Sequence, residues 1–233
     1  MDRIATLLER LEARYGRPVW RPRMGVLEEL VHCILSQHTS DANSFRAFEA
    51  LRRAYPTWEA VLQAPEEELA AVIRSGGLAR QKAKRIQAVL ARIREDQPDL
   101  RLERRLAGLS DTEARAYLMA LPGIGPKCAA IVLCFALGRP VLPVDTHVFR
   151  VSWRLGLIEE RLGPDRAHEA LQGQLRPELV YRFHVALIRH GRAMCKAQRP
   201  RCADCPLLAL CSYGQTALSA GQTPAAPSPE AQA

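Results

Sequence analysis

Apolar residues recur at three- and four-residue spacing along nearly the whole chain, and this pattern limits the possible folds more than any other feature. Val26, Leu27, Leu30, Val31, Ile34 and Leu35 fall on one face of a 3.6-residue repeat, the mark of a buried helix. The pattern returns over residues 42–55, 58–63, 66–74, 81–95 and 111–121, and again over 127–137, 146–155, 165–172 and 178–193. The opening stretch, MDRIATLLERLEARYGR, reads as an amphipathic, charged helix. No segment alternates with period two, so the expected class is all-α. Short joints separate the helices: Ser75-Gly76-Gly77, Gln97-Pro98, residues 121–125 and residues 138–143. The end of the chain, TALSAGQTPAAPSPEAQA, lacks periodicity and is rich in Ala, Pro, Ser and Gln, so a disordered tail is expected over residues 215–233.

Charge narrows the partner. The net charge of +8 and pI near 9.4 favour a polyanion. No run approaches the roughly 18–20 apolar residues of a membrane span, which excludes a spanning segment. The first helix also lacks the apolar centre of a secretory signal, so the expected compartment is the cytoplasm or a bacterial nucleoid. In such a compartment, seven cysteines point to a metal or free thiols before disulfides.

The basic residues are unevenly chosen. Of 33, only Lys82, Lys84, Lys127 and Lys196 are lysines. Arginine holds a fixed positive charge, whereas a lysine amine can give up its proton and attack carbon. Lys127 lies in LPGIGPKCAA; upstream, Ser110-Asp111-Thr112-Glu113 opens one helix as a capping box, and Leu121 to Gly125 then turns the chain. Pro126 suits the first turn of the helix that follows. Gly123 and Gly125 let the backbone approach a ligand and present its N–H groups to an anion such as a DNA phosphate. This is a helix–hairpin–helix signature, although a plain αα-corner would also satisfy G-x-G alone. Downstream, Asp145 in PVDTHVFR stands where an N-cap belongs, and the same carboxylate could face developing positive charge.

Cys195, Cys202, Cys205 and Cys211 follow the spacing C-x6-C-x2-C-x5-C within 17 residues. Such thiolates can enclose a tetrahedral zinc or a cubane iron–sulfur cluster. Lys196, Arg199 and Arg201 make the intervening loop a basic projection suited to backbone phosphates. Cys33, Cys128 and Cys134 lie on apolar helix faces and read as small core residues.

Together, LPGIGPKCAAIVLCFALGRPVLPVDTHVFR and the cysteine spacing closely resemble the endonuclease III family of DNA glycosylases with abasic-site lyase activity. The resemblance covers roughly residues 5–213 and departs at Pro126, where many members carry a basic residue. It implies two helical lobes flanking a DNA-binding cleft. One is a six-helix barrel over residues 20–139 carrying the hairpin. The other is a four-helix lobe of residues 1–19 and 140–214 holding a [4Fe–4S] cluster on the four cysteines. Lys127 would be the nucleophile and Asp145 its assisting carboxylate.

The implied substrate is double-stranded DNA with damaged pyrimidines or abasic sites, acted on by a monomer in base excision repair. A base inside a duplex cannot meet an amine, so the nucleotide must be flipped out and its place filled. ILSQHTSD resembles the family segment that supplies a polar wedge, with Gln37 and His38 both eligible and His38 at the aligned position. GGLARQKAKRI resembles a second wedge loop, with Leu78 intercalating and Lys82, Lys84 and Arg85 tracking phosphates. His147 reads as a packing or hydrogen-bonding neighbour of Asp145. Two rival expectations are a monofunctional mismatch glycosylase, which would lack the lysine, and a non-catalytic DNA-binding protein of the same fold.

Overall fold

The computed structural model describes residues 3–219. Among them every regular element is helical and no strand occurs. The chain divides into two compact units, one of residues up to Trp20 together with those from Val144 onward, the other of Arg21–Pro143. The unit boundaries fall at 20/21 and 143/144, beside the expected 19/20 and 139/140.

The first unit begins with α1 (Arg3–Tyr15), whose Ile4, Leu7, Leu8 and Leu11 are buried on one face. The second unit then runs through α2 (Val26–Ser36), α3 (Asp41–Ala54), α4 (Trp58–Gln63) and α5 (Glu66–Val72). It continues through α6 (Ala79–Asp96), α7 (Leu102–Ala107), α8 (Asp111–Met119) and α9 (Pro126–Ile131). At its centre is α2, in which Leu30, Val31, Ile34 and Leu35 are all fully buried. Burying each such side chain contributes about 1.5–3 kcal/mol, and α3, α6, α7 and α9 all pack against this one helix. Caps fix the ends: Ser40 accepts from the Asn43 N–H and Thr57 from the Ala60 N–H. Ser110 and Glu113 form the reciprocal box that the sequence predicts.

Beyond Ile131 the helix widens into π turns over Val132–Ala136. Such turns are rare and recur near functional sites. Arg139 closes the end of this segment, its guanidinium donating to the Leu106 and Leu109 carbonyls at 2.6 and 3.0 Å.

The first unit resumes with α10 (Thr146–Arg154), α11 (Gly163–Gln172), α12 (Val180–Ala193) and α13 (Ser212–Ser219). Its core is the junction of α12 with α1 and α10, where Val180, Phe183 and Leu187 are buried. Arg182 on α12 grips Glu12 on α1 with two hydrogen bonds of 2.7 Å.

Helix α13 corrects the expected start of the tail. Residues 212–219 are helical because the helix leans on the cysteine loop. Tyr213 meets the Trp153 ring edge-on at 5.3 Å, and a side chain at Gly214 would press on Leu208 at 3.2 Å and Cys211 at 3.6 Å. The rest of the expected tail, residues 220–233, lies outside the described residues. Among the described residues no helix is long and apolar enough to cross a membrane.

Candidate functional site

The hairpin joins α8 to α9 through an exposed turn. Gly123 takes φ +70°, a left-handed conformation that costs an L side chain about 1–2 kcal/mol. Arg85 of α6 lies over it: a Cβ added at Gly123 would come within 2.3 Å of Arg85 Nε. Gly125 is different, being an extended N-cap with open space where a Cβ would go. Ile124 is buried and anchors the turn. Pro126 opens α9 at its first position, and Lys127 follows on the first turn with its side chain exposed. Cys128 beside it is buried, as are Cys33 and Cys134, in accord with their reading as core residues. Burial holds the pKa of the Cys134 thiol up to about 12, and that of Cys128 is raised well above its ordinary value, first by its hydrogen bond with Cys33.

The two wedge segments share a backbone peculiarity. His38 (φ 52°) and Leu78 (φ 49°) are both exposed and both left-handed. Among the described residues only Leu100 and Arg199 are other non-glycine positions with positive φ. Three of these four, all but Leu100, are sequence candidates for touching DNA. Bulky side chains persist in that region only when surrounding structure enforces it. Gln37, the other wedge candidate, is half-buried and engaged: its Oε1 accepts from Arg85, and its Nε2 donates to the Gly123 carbonyl at 3.4 Å.

The expectation that Lys82, Lys84 and Arg85 track phosphates is corrected for two of the three. Lys82 is 2% exposed, and its ammonium donates to the Leu35 and Gly76 carbonyls, each at 2.7 Å. Arg85 is committed to Gln37 and the hairpin. Of the three, Lys84 alone is exposed. Lysine suits position 82 for a reason unrelated to reactivity, because a compact ammonium with three donors fits between two carbonyls where a planar guanidinium would not.

In the other unit, Asp145 is the N-cap of α10. Its Oδ1 accepts from the backbone N–H groups of His147 and Val148 at 2.9 and 2.7 Å. One oxygen therefore serves the cap while Oδ2 takes no part in it. His147 packs beside Asp145, its Nδ1 3.0 Å from an Arg150 nitrogen. Burial lowers its pKa, with Asp145 opposing and Arg150 and Arg192 reinforcing.

Cys195, Cys202, Cys205 and Cys211 line one pocket together with Arg154, His190, Leu207 and Tyr213. Burial raises the thiol pKa values of Cys202 and Cys211 and pushes Cys205 up to about 11, so free thiols here resist ionising. His190 is also buried, with its pKa driven down to about 4, and stands 3.6 Å from Cys205 Sγ. Arg154 donates to Cys195 Sγ at 3.4 Å, and the Gly214 N–H donates to Cys211 Sγ at 3.4 Å. Among the described residues no three His, Cys, Asp or Glu side chains are grouped to hold one ion. Four thiols lining one pocket are a donor set that suits a tetrahedral zinc or an iron–sulfur cluster. Lys196, Arg199 and Arg201 are exposed on the same loop, with Arg201 paired to Asp204 at 2.7 Å.

Comparison with known proteins points the same way. Residues 31–177 match the family model described as HhH-GPD superfamily base excision DNA repair protein. The chain is 40% identical over 188 residues to endonuclease III of Bacillus subtilis (strain 168), covering 81% of each. It is 36% identical to a putative DNA glycosylase of Arabidopsis thaliana over 78% of this chain, spanning 65% of that longer protein. A solved structure of a trapped endonuclease III–DNA covalent intermediate superposes with a TM-score of 0.78 at 32% identity, covering 92% of this chain and 97% of that one. The chain belongs to the HhH-GPD superfamily of base excision DNA repair proteins and, within it, to the endonuclease III family.

Proposed function

We propose that this chain excises oxidised pyrimidines from duplex DNA and then cuts the strand on the 3′ side of the abasic site, with Lys127 as nucleophile. Family membership makes it a DNA glycosylase with lyase activity at abasic sites, in base excision repair. The observation that carries the residue assignment is the exposure of Lys127 on the turn after Gly123–Gly125, in a chain that has 29 arginines and only four lysines. Lys82, by contrast, is spent on two carbonyls.

The deprotonated Lys127 amine attacks C1′ of the flipped nucleotide, forming a C–N bond as the bond to the damaged base breaks. Asp145 accepts a proton or stabilises the positive charge that grows on the sugar. Opening of the sugar ring leaves a Schiff base between Nζ and C1′. The Schiff base acidifies the C2′ hydrogens, and loss of one expels the 3′ phosphate by β-elimination. Hydrolysis then frees the lysine. His38 and Leu78 fill the space left in the duplex, Gly123 and Gly125 seat a phosphate, and Lys196, Arg199 and Arg201 hold the backbone further along.

The four cysteines would hold a [4Fe–4S] cluster. The convergence of their thiols on one pocket supports the fit, as does the C-x6-C-x2-C-x5-C order of the cysteines along the chain. When bound, the group pins a loop with few apolar residues of its own, and no step of the reaction is assigned to it. Visible absorption with iron and labile-sulfide analysis tests this.

Borohydride trapping tests the lysine. Wild type should give a covalent adduct with a duplex carrying an oxidised pyrimidine, and Lys127→Ala should give none. Equal trapping by Lys127→Ala would remove Lys127 from the role. A strand-nicking assay on the same duplex separates this reading from a glycosylase that only releases the base.

A further inference from the structure

Two loops of the Arg21–Pro143 unit carry exposed side chains in left-handed backbone, and one buried cation lies at the root of both. Lys82 Nζ is 2.7 Å from the Leu35 carbonyl, three residues before His38, and 2.7 Å from the Gly76 carbonyl, two residues before Leu78. The loops are in contact there: a side chain at Gly76 would meet Ala47 at 3.1 Å and the Leu35 carbonyl at 3.8 Å. A second tie lies one turn along α6. Arg85 donates to Gln37, and Gln37 donates to the Gly123 carbonyl of the hairpin. Residues 82 and 85 thus face the same side of one helix and fasten three separate loops to it.

We infer that Lys82 is a positioning residue which, with Arg85 and Gln37 as a second strut, sets His38 and Leu78 in register with each other and with the hairpin. Gln37 is thereby assigned to the frame, and His38 to the wedge. The role rests on the proposed nucleotide flipping. Each strained loop could relax by itself at the cost of its partner's alignment, and a shared charged anchor prevents this. Charge-assisted bonds to buried carbonyls are among the stronger ones a protein makes, and losing the donor leaves both acceptors unsatisfied. Arginine at 82 would bring a planar fork too large for the gap, which explains a lysine in a chain that otherwise avoids them.

The test compares one abasic site in two settings, a duplex and a single-stranded oligonucleotide of the same sequence. Wedges are needed only in the duplex. Lys82→Met should lower lyase kcat/KM on the duplex by on the order of 10- to 100-fold, the scale expected for misplaced groups remote from the chemistry, and leave the single strand unchanged. The fluorescence of 2-aminopurine opposite the abasic site should rise less on binding. Arg85→Met, a half-buried position, keeps the test open should Lys82→Met fail to fold, and the same split is expected at smaller size. Equal losses on both substrates in Arg85→Met, or no duplex loss in either variant, would overturn the assignment. A wild type inert on both substrates would instead overturn the underlying chemistry and this role with it.

Discussion

Arg154 donates to Cys195 Sγ at 3.4 Å, and its own backbone carbonyl accepts from Cys211 Sγ at 3.3 Å. One residue of α10 therefore touches the first and last of the four cysteines. Its guanidinium also donates to the Lys196 and Ala197 carbonyls at 2.7 and 3.0 Å and stacks on the Tyr213 ring. Arg154→Met is expected to leave those carbonyls without a donor and to destabilise the loop by about 1–3 kcal/mol. Thermal unfolding followed with iron content should show both falling together, and Arg154→Lys should rescue little because one ammonium cannot span the fork.

The cap that Asp145 makes on α10 and the catalytic role proposed for it can be separated by substitution. Asparagine keeps the cap on α10, whereas alanine removes it at about 1 kcal/mol. Asp145→Asn should therefore unfold at the wild-type temperature and still lose most base release, and Asp145→Ala should lose both. An Asp145→Asn enzyme with normal base release would confine the residue to capping.

The two hairpin glycines should respond differently. Gly123→Ala meets a left-handed backbone and the Arg85 side chain, so it should cost about 1–2 kcal/mol and weaken binding to an abasic duplex. Gly125→Ala enters open space at φ −96° and should change stability by less than about 0.5 kcal/mol. Denaturant unfolding of the two variants side by side provides the check.

Salt dependence should report on the cysteine loop. Removing Lys196 or Arg199 should flatten the plot of log K against log salt by about 0.9 for each phosphate that is no longer neutralised. Arg201 should count for less, since Asp204 already neutralises part of its charge. Titrations of an abasic duplex at several salt concentrations measure these slopes.

Cys134 gives the Arg21–Pro143 unit an alkaline limit. Burial keeps its thiol protonated to about 12 in the folded chain, whereas an unfolded thiol ionises near 9. Between those values the unfolded chain binds fewer protons, so stability falls as pH rises from about 9 toward 12 and is insensitive to this group below 9. Cys128, also raised, adds to the slope. Urea midpoints measured across this range should fall less steeply in Cys134→Ala than in wild type.

Much of this arrangement is legible in the sequence because it is local. The capping box at Ser110–Glu113, the cap at Asp145 and the apolar face of α2 each depend on residues within two or three helical turns. Helix α7 is hard to read because only Leu102 and Leu106 mark its buried side. Helix α13 is equally faint, since it packs on irregular loop rather than on a periodic partner. Lys82 misleads for a deeper reason. ARQKAKRI reads as a solvated charged row, and the Leu35 carbonyl that buries its lysine lies 47 residues away. Backbone acceptors carry no identity in a sequence, so a cation committed to them looks like any other.

The split arrangement of the first unit has a consequence during synthesis. The Arg21–Pro143 unit is one uninterrupted stretch and can acquire its core as soon as it leaves the ribosome. Helix α1 emerges earlier, yet Arg182, the partner of its Glu12, follows 170 residues later. Until α12 follows, the buried face of α1, with Leu7, Leu8 and Leu11, lacks the helix it packs on. The apolar face of α1 therefore waits through most of translation for α12, so the last third of the chain decides when the first unit closes.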